Sequence, residues 1–179
     1  MIPSTFEPVQ PARLIVQGEF AVGGRGSGVI RTLLGSCVSC CLWDDLAAVG
    51  GMNHLLLAGY RINGASYNNL VGVTEMERLI NEILKLGGTK SNLKAKVFGG
   101  SEMLTGRTGI GEMNARFVED FLQQERIPCI NKSVGGGQAR IVKFWPESGR
   151  VSMRLTQQSA ALDERPVAPV ETASSLELF

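Results

Sequence analysis

Residues 32–54 read TLLGSCVSCCLWDDLAAVGGMNH and contain the chain's one histidine, seventeen positions after the first of its four cysteines. A Gly35-Ser36 turn leads into residues 37–43, where Val38, Cys40 and Leu42 alternate with Ser39, Cys41 and Trp43. These side chains suit a strand, although a short helix also fits the length. Asp44-Asp45 reads as a turn and residues 51–57 as the returning strand. With the turn centred on Asp45-Leu46, antiparallel pairing sets Trp43 opposite Ala48 and Cys37 opposite His54, and directly opposed residues share a sheet face. A slip of one residue would put thiol and imidazole on opposite faces.

Outward from this hairpin, residues 13–17 (RLIVQ) and 28–34 (GVIRTLL) read as strands bounded by glycine-rich turns. Residues 22–28 (VGGRGSG) read as a flexible hairpin loop. Thr74 is the expected N-cap of a helix with Met76, Leu79, Ile80, Ile83 and Leu84 on one face, closed by Gly87-Gly88. Residues 93–98 alternate apolar and basic side chains like a half-buried strand. A second amphipathic helix is expected from Glu112 to about Arg126 through Met113, Phe117, Phe121 and Leu122. Residues 128–133, 140–144 and 150–155 read as strands, the last two joined by a turn over 146–149. About seven strands and two helices predict an α+β fold, a layered mixed or antiparallel sheet domain without regular βαβ alternation. One domain over residues 1–156 is expected, with residues 157–179 a flexible C-terminal tail in which Leu176, Leu178 and Phe179 could dock.

The chain has 179 residues, 44% hydrophobic and 20% charged, and a net charge of +1, so neither nucleic acid nor an acidic membrane surface is an expected partner. Its apolar runs are too short to span a bilayer, and the N-terminus lacks a secretory layout. A cytoplasmic, reduced protein is expected, with free thiols rather than a disulfide framework.

A thiol becomes a competent nucleophile when a neighbouring group lowers its pKa or takes its proton, and an imidazole can do both. Cys37 follows a turn whose backbone amides can face a developing oxyanion. The competing reading is a small buried hydrophobe, and for His54 a satisfied core histidine. Cys37 and Cys40 have CxxC spacing, but an extended strand points them to opposite faces, which argues against shared metal ligation or redox pairing. The glycine clusters at 99–100 and 135–137 do not match a phosphate loop and read as tight turns near a site.

LLGSCVSCCLWDDLAAVGGMNHLLL, followed by VFGGSEML, GIGEMNARFV and VGGGQARIVKFWPESGRVSMR, resembles the chemoreceptor glutamine deamidases of the CheD family across roughly residues 12–155. The resemblance implies the cysteine hydrolase fold shared with deamidating toxins, and hydrolysis of receptor glutamines to glutamate during chemotactic adaptation. Carried over by position, Cys37 matches the nucleophile, His54 the general base and Thr32 the threonine that orients it. The position one residue upstream, which holds the threonine in some members, is Arg31 here. Ser36, Asn53, Gly99, Gly100 and Ser101 are then expected to bind substrate or partner. The resemblance implies no metal or organic cofactor. It implies the cytoplasmic helices of chemoreceptors as substrate and a CheC-type phosphatase as a possible partner. A rival reading keeps the fold as a non-catalytic module that binds receptor or phosphatase.

Overall fold

A computed structural model describes residues 11–57, 68–102 and 109–157. Nine strands occur among them: β1 (Ala12–Leu14), β2 (Phe20–Gly23), β3 (Val29–Leu34), β4 (Val38–Asp44), β5 (Val49–Asn53), β6 (Lys94–Gly99), β7 (Cys129–Val134), β8 (Ala139–Trp145) and β9 (Arg150–Thr156). Two α-helices, α1 (Asn68–Lys85) and α2 (Ile110–Gln124), complete an α+β fold of mixed sheets. One sheet runs β1-β3-β8-β9 and the other β2-β5-β4-β6-β7. Both helices pack on the five-stranded sheet, whose other face meets the four-stranded one. The sheet containing β4 and β5 is therefore the middle of three layers.

That position explains the composition of residues 38–53. A strand covered on both faces reads as a nearly continuous apolar run rather than a clean alternation. Every residue of β4 and of β5 is buried. Val38, Cys40 and Leu42 face the helices together with Leu55, Met76, Leu79 and Val118. Cys41, Trp43 and Met52 face the other sheet with Ile30, Leu34, Val142 and Phe144, and Cys37 packs at the margin of this second cluster.

The hairpin register differs from the sequence expectation. Trp43 lies opposite Gly50, not Ala48, and Cys41 opposite Met52. An added bridge pairs Val38 with Leu55, so the same register sets Cys37 opposite Leu56 and Ser39 opposite His54. The cause is a four-residue turn over 45–48. Asp44 Oδ1 accepts the amides of Leu46 at 2.9 Å and Ala47 at 3.0 Å, and these bonds hold the longer loop. Because the displacement is two residues, side-chain parity survives and Cys37 still shares a face with His54.

Three further readings are corrected. The glycine-rich stretch begins with the short strand β2, paired antiparallel to β5. Thr74 does not cap α1: it lies inside the helix, where its hydroxyl donates to Leu70 O at 2.9 Å. Met113 is 53% exposed, and the buried stripe of α2 runs through Asn114, Ala115, Val118, Phe121 and Leu122. Gly87 and Gly88 do close α1, donating to Leu84 O and Ile83 O. Residues 158–179, and with them the docking candidates Leu176, Leu178 and Phe179, lie outside the described residues. No helix among the described residues is long and apolar enough to cross a membrane.

Candidate functional site

The strand ends gather at one pole of the two sheets. β3 ends there and passes through the Gly35-Ser36 turn into β4, while β5, β6 and β7 run into the same end and β8 starts from it. Strand parity on β3 turns Ile30, Thr32 and Leu34 inward, all buried, and leaves Arg31 exposed on the outer face. Arg31 therefore cannot substitute for Thr32 at this pole.

Thr32 and His54 meet across the gap between the sheets. Both are buried, and Thr32 Oγ1 lies 2.7 Å from His54 Nδ1. The threonine hydroxyl has a single proton, which it donates to Ile15 O at 2.9 Å. Its oxygen is then an acceptor, so the bond runs from Nδ1–H to Oγ1. This assigns the neutral ring a proton on Nδ1 and the lone pair to Nε2.

Cys37 immediately precedes the first paired position of β4. Val38 and Leu55 exchange both backbone bonds, at 2.9 and 2.7 Å. Cys37 and His54 thus share, by strand parity, the face turned toward Thr32. The Cys37 thiol is half-buried, and burial pushes it up to about 11 against a smaller lowering by its own backbone N–H. Burial thus favours the thiol over the thiolate at this position.

The turn before the cysteine is pinned through three successive carbonyls. Gly35 O accepts Ser101 N at 2.9 Å, Ser36 O accepts Asn114 Nδ2 at 2.8 Å, and Cys37 O accepts Gly100 N at 2.8 Å. Gly99 has φ 110°, and a Cβ there would fall 2.2 Å from Cys37 O, so no side chain fits at that position. Gly99 and Gly100 thus shape the backbone behind the nucleophile candidate.

Ser101 and Asn53, expected as binding residues, have other tasks. Ser101 is fully buried, donates to Gln138 O at 2.6 Å and accepts Arg140 Nη1 at 2.6 Å. Asn53 points toward the helical layer, where its Oδ1 accepts Cys40 N at 2.8 Å and its Nδ2 faces Met76 Sδ at 3.3 Å. Asn53 thus lies on the face opposite His54, turned away from Thr32. Cys40 likewise faces the helices, away from Cys37.

Two residues at this pole escape a reading of the sequence. Arg140 is 5% exposed and, among the described residues, meets the neutral acceptors Ser133 Oγ, Ser101 Oγ, Gln138 O and Gly135 O. Asn114 is fully buried, and its carboxamide also accepts Leu57 N at 3.0 Å. The available signal was a polar residue on an apolar face. Arg140 alternates with Val142 and Phe144, and Asn114 precedes Val118 and Leu122 by helical steps of four.

The chain is similar to known proteins over most of its length. The family described as CheD chemotactic sensory transduction matches residues 61–155. A protein of Rhizobium rhizogenes named "probable chemoreceptor glutamine deamidase CheD" is 43% identical over 173 residues, covering 92% of this chain and 94% of that one. Proteins of the same name from Agrobacterium fabrum and a Caulobacter species are each 44% identical over 172 residues, covering 92% of this chain and 94% and 91% of theirs. Among solved structures, a Neisseria meningitidis protein of family DUF152 aligns with TM-score 0.45 at 10% identity, covering 72% of this chain and 63% of that one. With a matched segment that spans more than half of its residues and full-length relatives above 40% identity, this chain belongs to the CheD family.

Proposed function

We propose that this chain is a cysteine amidohydrolase that converts selected glutamine side chains of chemoreceptors to glutamate with release of ammonia. The observation that carries the reading is the Thr32–His54 contact at 2.7 Å, on the same inward face as Cys37. The names of the relatives, chemoreceptor glutamine deamidases, supply the substrate class.

Burial that favours the thiol over the thiolate suits one order of events. Nε2 of His54 takes the thiol proton as sulfur attacks the glutamine amide carbon, so thiolate forms only as it is consumed. The amides of Ser36 and Cys37 receive the developing oxyanion, on a turn held in place through its three carbonyls. The protonated imidazole, steadied through Nδ1–H by Thr32, hands its proton to the departing nitrogen. The carbon–nitrogen bond breaks, ammonia leaves and a thioester joins the substrate to Cys37. His54 then takes a proton from water, the hydroxide equivalent attacks the thioester, and glutamate and the thiol are released. Atoms and charge balance over the cycle without a cofactor.

Receptor cytoplasmic helices are the partners this chemistry addresses, in the cytoplasm where they lie, and a CheC-type phosphatase fits as a regulator at the same pole. The test is incubation of receptor cytoplasmic fragments with the native protein and with Cys37→Ala. Glutamine-to-glutamate conversion at specific positions is expected for the native protein only. Equal conversion by both, or by neither, would overturn the reading.

A further inference from the structure

Asn114 occupies a place that backbone alone would fill in a regular sheet. In an antiparallel ladder, pairs that exchange both backbone bonds recur at every second position. Val38 and Leu55 form such a pair. The next would be Ser36 and Leu57, with Leu57 N–H donating to Ser36 O. That rung is made through a side chain instead: Leu57 N donates to Asn114 Oδ1 at 3.0 Å, and Asn114 Nδ2 donates to Ser36 O at 2.8 Å. A carboxamide carries one donor group and one acceptor on the same plane, like a peptide unit, and so it can be inserted into a ladder without leaving either backbone group unpaired.

The insertion parts the two chain segments where Cys37 leads into β4 and beyond His54 on the returning segment. The depth of the wedge is fixed by α2, which lies against the end of β6: a Cβ at Gly111 would come within 2.3 Å of Gly100 O. Gly100 N in turn holds Cys37 O. Helix, turn and returning strand therefore meet at one fully buried amide.

We propose that Asn114 is a positioning residue for the Cys37–His54 pair, setting the separation between the turn that carries the nucleophile and the strand that carries the base. This rests on the cysteine hydrolase reading above. Asn114 touches no reacting atom and acts through the two residues that do. Replacing it with Ala lets Ser36 and Leu57 close on each other. Replacing it with Asp keeps the acceptor for Leu57 and sets a carboxylate against Ser36 O.

The experiment is a double-mutant cycle read by iodoacetamide alkylation of Cys37 at neutral pH, with the adduct mapped by peptide mass. It needs no receptor, so a failure of the deamidase reading would show separately as absence of glutamine conversion. Asn114→Ala and Asn114→Asp are each made with His54 present and in a His54→Ala background. The expected result is a fall of about fivefold or more in the alkylation rate with His54 present and less than about twofold without it. The Asp variant preserves one of the two bonds and covers the case in which Ala does not fold. An equal fall in both backgrounds, no fall in either, or a native rate indifferent to His54→Ala would each overturn the proposal.

Discussion

Thr32 and His54 stand 22 positions apart in sequence, and their side chains meet at 2.7 Å across two facing sheets. No local pattern can encode such a contact, since it depends on how the layers stack. It also makes a sharp prediction. Thr32→Val keeps the shape and removes the acceptor for Nδ1–H, freeing the ring to turn or change tautomer. The turnover rate on receptor fragments is expected to fall about 10- to 100-fold with KM nearly unchanged. Thr32→Ser, which keeps the hydroxyl, should retain most of the activity in the same steady-state assay.

The buried thiol of Cys37 predicts an unusual pH profile for chemical modification. With its pKa pushed up to about 11, the thiolate fraction grows about tenfold per pH unit through the neutral and alkaline range. In a His54→Ala background, where no imidazole takes the proton, the alkylation rate of Cys37 should therefore climb without levelling until the pH approaches that value. A plateau below pH 8 would instead reveal a preformed thiolate.

Cys40 and Cys41 are fully buried, and desolvation raises both thiols well above the ordinary value. The folded protein holds these protons, whereas the unfolded chain releases them near pH 8.5. Above that pH the unfolded state binds fewer protons, so stability falls as pH rises, by at most about 1.4 kcal/mol per unit for each thiol. Urea unfolding between pH 8 and 10.5 should give a steeper decline for the native chain than for Cys41→Ala.

Asp44 offers the opposite sign. Burial alone would raise its carboxyl, but the amides of Ala47, Thr89 and Leu46 hold it below its ordinary value. Its contribution is present above the ordinary carboxylate range and is lost as pH falls through the lowered value. Asp44→Ala is expected to cost about 2–4 kcal/mol at neutral pH, because three amides lose a charged acceptor. Measured by denaturant titration, the gap between native and variant should narrow below about pH 4.

Where neighbouring residues decide the structure, the sequence was legible. The alternation in residues 93–98 became β6, and the apolar stripe closed by Gly87-Gly88 became α1. Cys37 and His54 stood out because one imidazole has few thiols to serve. The hairpin register was misread by two residues, since it depends on an Asp44 carboxylate that also reaches Thr89, 45 positions away. β2 escaped because four residues ending in glycine carry too little periodicity. Arg140 and Asn114 escaped for a different reason: their worth lies in the backbone groups they satisfy, which only the assembled pole brings together.

The most direct measurement is rapid acid quench of the protein turning over a receptor fragment, followed by peptide mapping. A receptor glutamyl group joined to Cys37 as a thioester is expected, cleaved by hydroxylamine and absent from Cys37→Ala. Glutamine conversion at the native rate with Cys37 unmodified, or conversion that persists in Cys37→Ala, would contradict the account.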